Sequence, residues 1–136
     1  MSLDGWGKDG DIDKNVTTDS YRDYPNAWAP IQHMLIEGLM ASGIEGSEAM
    51  ALDIAKRTIQ TYFLTYKRTG FMHEKYDSRT PGVEGGGGEY APQKGFGWTN
   101  GVALILLQRF GQQLRVNAAA LQACKAQDYI GCDIWA

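Results

Sequence analysis

Cysteine and histidine are scarce. There are two of each in 136 residues, and that scarcity removes several chemistries at once. Cys124 and Cys132 both fall near the end and make no CxxC. With only two distant histidines beside them, they are too few and too scattered for a metal site. They either close a short-loop disulfide or stand as two unrelated thiols. No serine sits in GxSxG, so a nucleophile elbow has no support. The phosphate-loop pattern GxxxxGK[ST] is missing, and GGGGEY lacks the helix-opening arrangement of a dinucleotide fingerprint. Nothing in the chain calls for a cofactor.

Excess charge is also missing. Thirteen Lys and Arg stand against sixteen Asp and Glu, a net charge of -3. No basic patch points to nucleic acid, and no lysine-rich face points to an anionic membrane. The longest apolar runs, such as 102–107, fall far short of a bilayer. The opening residues MSLDGWGKDG hold no apolar run of signal-peptide type, and the compartment is left open. With 43% hydrophobic and 21% charged residues, the chain has the composition of one globular domain.

Residues 1–22 are polar. Asp9, Asp11, Asp13 and Asn15 alternate like the start of a calcium loop. Lys14, however, replaces the glycine required at the sixth position, and Ser20 the acid required at the twelfth. A solvated, poorly ordered arm is the better reading. Beyond it, Ile31, Met34, Leu35, Gly38 and Leu39 recur at three and four and predict one buried helix face. Ser47 is placed to cap a second helix running to about Lys67, with Met50, Ile54, Ile59, Tyr62 and Phe63 on its apolar side. A third helix starts at Trp98 or Thr99 and ends near Gly111. It is apolar nearly all round, so it expects neighbours on several sides. Residues 112–126 favour a weaker fourth helix. No strand-like alternation longer than a few residues occurs, and the predicted class is all-α.

Between the second and third helices lies a long segment, residues 71–101, FMHEKYDSRTPGVEGGGGEYAPQKGFGWTNG. Loops of this length inside a domain are uncommon and usually functional. Linkers, moreover, are poor in the aromatics that fill this one. Glu74 follows the apolar pair Phe71-Met72, and a carboxylate at the rim of an apolar pocket can serve as an acid or base. Lys75 would favour its ionised form if it faced the same way. By residue chemistry alone, Glu74 reads more readily as a surface glutamate in a charged pentapeptide. Glu89 follows four glycines, whose backbone can approach a ligand closely. Glu89 could accept hydrogen bonds from hydroxyls while Tyr90, Phe96 and Trp98 provide flat apolar walls, an arrangement suited to a sugar. A glycine-rich turn with packed aromatics fits equally well. For His33 and His73 an ordinary hydrogen-bonded role outweighs a catalytic one.

Four collinear motifs carry a resemblance. DYPNAWAP at 23–30, HEKYD at 73–77, GGGGEY at 85–90 and GFGWTNGV at 95–102 closely resemble the C-terminal part of the glycoside hydrolase family 37 trehalases. The likeness runs from Asp23 to Leu114. It divides the chain into an unmatched arm (1–22), a C-terminal part of a catalytic domain (23–114) and a helical or irregular tail (115–136). The resemblance implies an (α/α)6 toroid, of which this chain would be a C-terminal sector of three to four helices plus the glycine-rich loop. It implies hydrolysis of α,α-trehalose to two glucoses with inversion, which needs an acid and a base about 6.5–9.5 Å apart. By position Glu74 is then the general base, and Glu89, Tyr90 and Asp23 belong to the sugar site.

The sequence departs from the family in two respects. The family's general acid lies in a motif of the type SGWDFSSRW, which has no counterpart here. Ser20-Tyr21-Arg22 replaces the Gln-Gln-Trp of the usual signature. The resemblance therefore implies a fragment inactive alone, with apolar helix flanks able to associate with the missing part of the toroid. Two other readings are a truncated isoform that binds sugar or full-length trehalase without catalysis, and an unrelated helical interaction module.

Overall fold

A computed structural model describes residues 24–87 and 91–136. In chain order these form β1 (Asn26–Trp28), α1 (Ala29–Ala41), α2 (Ser47–Thr69), β2 (Lys75–Asp77), α3 (Gly97–Phe110) and α4 (Ala118–Lys125). The chain is all-α, the class expected of a sector of a helical toroid. The one addition is a short antiparallel pair joining β1 to β2, with Ala27 opposite Tyr76 and Trp28 opposite Lys75. The sequence does not announce these strands. Each is three residues long, too short for alternation to register.

Helix α1 begins where Pro30 can occupy the first turn, because its missing N–H is not needed there. Helix α2 is the longest, at 23 residues. Ser47 does not cap it. Gly46 takes that place with φ +83°, and the Ser47 hydroxyl instead donates back to the Ile44 carbonyl at 2.7 Å. Lys67 and Arg68 lie in its last turn, where cations oppose the partial negative charge of the helix end. Gly70 then closes it in the left-handed conformation. Helix α4 starts later than predicted. The Asn117 side chain accepts hydrogen bonds from the amides of Ala119 and Ala120, which fixes its first turn.

The main core lies among α1, α2 and α3. Ile36, Ala51, Ala55, Ile59, Tyr62, Val102, Leu106 and Phe110 bury there, joined by Tyr76 of β2. The predicted inward stripe of α1 is the principal correction. Ile31, Met34 and Leu35 face outward, with Met34 67% exposed, while Ala29 and Ile36 are fully buried and only Leu39 of the predicted stripe packs on the core. Helix α3 behaves similarly: Leu104 is 70% exposed, and Ile105 and Leu107 are also open. Burying one such side chain is worth roughly 1.5–3 kcal/mol. Two helices thus present apolar faces that the described residues do not cover.

The tail settles the choice that the two cysteines leave open. Cys124 and Cys132 are joined as a disulfide. The linked segment carries Ile134, fully buried, onto Leu64 of α2. Gln60 of α2 holds it from below, its amide donating to the Cys132 carbonyl at 2.8 Å. Gly82 lies against the Tyr129 carbonyl so closely that any Cβ there would collide with it. No described helix is long and apolar enough to cross a membrane.

Candidate active site

The site is built on one extended segment, residues 72–77, which leaves α2 after Gly70 and is stitched on both sides. On one edge β1 pairs with it. On the other, the Asp77 amide donates to the Val83 carbonyl at 3.0 Å and the Gly85 amide to the Lys75 carbonyl at 2.9 Å. Further back, the Glu74 amide donates to the Gln93 carbonyl at 3.0 Å and the Gly95 amide to the Met72 carbonyl at 2.6 Å. A loop therefore departs beside Lys75 and returns beside Glu74.

Glu74 is only 4% exposed. That overturns the surface reading that its charged neighbours favour. Its Oε2 accepts from the Gln93 amide at 3.0 Å, and its carbonyl accepts from the Trp98 indole N–H at 3.0 Å. Trp98 stands edge-on to Trp28 at 5.8 Å and packs on Phe96 at 4.5 Å. One aromatic cluster, Trp28, Phe96 and Trp98, thus meets the Glu74 backbone through the Trp98 indole. Neither the 330 Å³ apolar cavity between α2, α3 and the tail nor the larger groove along α2 is lined by Glu74.

His73 is structural. Its ring Nε2 lies 2.9 Å from the Thr69 hydroxyl, and its carbonyl accepts from Thr99 at 2.7 Å. Its amide donates to the Tyr76 hydroxyl at 2.9 Å. Burial lowers its pKa, against a smaller opposing pull from Glu84, which keeps the ring neutral near pH 7. His33 sits on α1 with Nε2 3.5 Å from Glu37, a pair on the helix surface.

Sequence reasoning leaves open which way Lys75 faces. It is fully buried, and its ammonium donates to the carbonyls of Gly86 at 3.0 Å and Gly87 at 2.9 Å. The same group lies 5.5 Å over the Trp28 ring. Burial lowers its pKa, and the charge of Glu74 partly offsets this. Behind the loop, Arg68 pairs with Glu84 and donates to the Gly82 carbonyl at 3.0 Å. Asp23, Glu89 and Tyr90 lie outside the described residues.

The family model for trehalases matches residues 8–111, well over half of the chain and starting ahead of Asp23. The chain belongs to the trehalase family. A probable trehalase of Oryza sativa subsp. japonica is 56% identical over 89 residues, covering 65% of this chain and 16% of that protein. A trehalase of Homo sapiens is 47% identical over 96 residues, covering 71% and 16%. One from Arabidopsis thaliana is 49% identical over 89 residues, covering 65% and 14%. The chain thus spans about one-sixth of the length of these curated relatives. The motif HEKYD carries Glu74 and Lys75 next to the two stems of the loop, and GFGWTNGV supplies Trp98 and opens α3.

Proposed function

We propose that residues 23–114 supply the water-activating part of a trehalase site, with Glu74 as general base in hydrolysis of α,α-trehalose to two glucoses with inversion. The observation that carries this reading is Glu74 itself. It is a buried carboxylate that accepts from the Gln93 main-chain amide, and it stands in the motif shared with the family. An ionised carboxylate so held can accept a proton from a water that attacks the anomeric carbon. Glu89, Tyr90 and Asp23 complete the sugar contacts in this reading.

The uncovered faces of α1 and α3 support a second element of it. They are the surfaces on which the remaining helices of the toroid would pack. The proton donor has no motif in this sequence, so the polypeptide alone is inactive toward trehalose.

The test is a chimera in which the matching 89 residues of the rice relative are replaced by those of this chain. Hydrolysis by the chimera, lost in Glu74→Gln with trehalose binding retained, supports the reading. Full turnover by Glu74→Gln removes Glu74 from the role.

A further inference from the structure

We propose that Lys75 is a positioning residue, which together with Glu74 staples the two stems of the glycine-rich loop, residues 85–87 and Gln93, to adjacent residues of one segment and so sets where those stems stand relative to the carboxylate. This rests on the reading of Glu74 and the loop as parts of one sugar site.

The loop from Gly85 to Gln93 leaves and returns at adjacent residues. Its departing stem is held through the Lys75 carbonyl, which accepts from Gly85 at 2.9 Å. The Lys75 ammonium then catches the Gly86 and Gly87 carbonyls at 3.0 and 2.9 Å. Its returning stem is held through Glu74, which bonds Gln93 by both its amide and its carboxylate. In the sequence, Glu89 stands midway between the stems.

A run of glycines offers no side chain to grip and loses more conformational freedom on ordering than any other residue type. Only its backbone carbonyls and amides can be held. A single ammonium can bind two carbonyls at once, and a buried charge is tolerated only when it is so paired. Trp28 supplies a face for the same cation. Gly85 shows that the fit is close. A Cβ there would lie 2.5 Å from the Asn26 side-chain oxygen and 2.9 Å from Lys75 Cγ.

Two measurements test the proposal. In the chain itself, Lys75→Met keeps the apolar stem and removes the cation. Hydrogen exchange should accelerate about tenfold across residues 83–95, with the amides of α2 unchanged. In the chimera, Lys75→Met and Gly85→Ala should each raise KM for trehalose about tenfold with a smaller change in kcat, the signature of a displaced binding loop. Loss of protection throughout α2, or a fall in kcat at unchanged KM, would make Lys75 an ordinary core residue and overturn the proposal. If the unmodified chimera fails to hydrolyse trehalose, the functional reading fails, while the exchange measurement still decides whether Lys75 holds the loop.

Discussion

Glu74 and Gln93 are bonded twice. The Glu74 amide donates to the Gln93 carbonyl, and the Gln93 amide donates back to the Glu74 carboxylate, each at 3.0 Å. The carboxylate is therefore aimed by the main chain of a residue nineteen positions away. Glu74→Gln retains a side-chain oxygen to accept from Gln93, so the fold should persist. In the chimera kcat should fall about 10²–10⁴-fold if Glu74 is the base. Calorimetry should find trehalose bound about as tightly as before.

The outward stripe of Ile31, Met34 and Leu35 predicts self-association of the isolated chain, since a contiguous apolar face seeks cover. Met34→Lys together with Leu35→Glu should shift the chain toward monomer in light scattering and leave the urea midpoint of the isolated chain nearly unchanged. The same pair in the chimera should cost several kcal/mol, about 1.5–3 for each side chain that the added helices bury.

Tyr62 and Tyr76 stack at 4.6 Å in the core. Burial pushes the Tyr76 phenol up from 10.0 to about 12, and raises Tyr62 further. Above the ordinary phenol value, the unfolded chain has released protons that the folded chain still holds. Stability is therefore full below pH 10 and falls as pH rises toward 12, by about 1.4 kcal/mol per pH unit for each phenol. Denaturant titrations across this window should show the decline. Tyr62→Phe, which gives up only a 3.2 Å hydrogen bond to Gln32, should roughly halve its slope.

The disulfide closes a short loop, with a sequence separation of 8. By loop-closure entropy it contributes about 2–3 kcal/mol to the ordered tail. Cys124→Ser with Cys132→Ser should speed exchange across residues 126–136 and release Ile134 from Leu64. The α1–α2–α3 core shares few of these contacts and should keep its protection.

The helices were legible because their apolar spacing repeats over many residues. Pro30 and Gly70 mark a start and an end by conformational rules that act locally. The family, too, was legible, since four motifs in order need no coordinates to be read. Which stripe of α1 faces inward was not. Periodicity shows that Ile31, Met34 and Leu35 share a face, but not whether the helix that covers it lies within these residues.

Burial of Glu74 and Lys75 was hidden for a related reason. Charged neighbours look solvated when read along the chain, whereas long-range partners, Gln93 for one and the glycine carbonyls for the other, help to make their burial tolerable. Local spacing determined the helices, and the resemblance of the motifs named the candidate carboxylate. Tertiary structure decided what that carboxylate touches, because hydrogen bonds between residues ten to twenty positions apart depend on how the chain turns back.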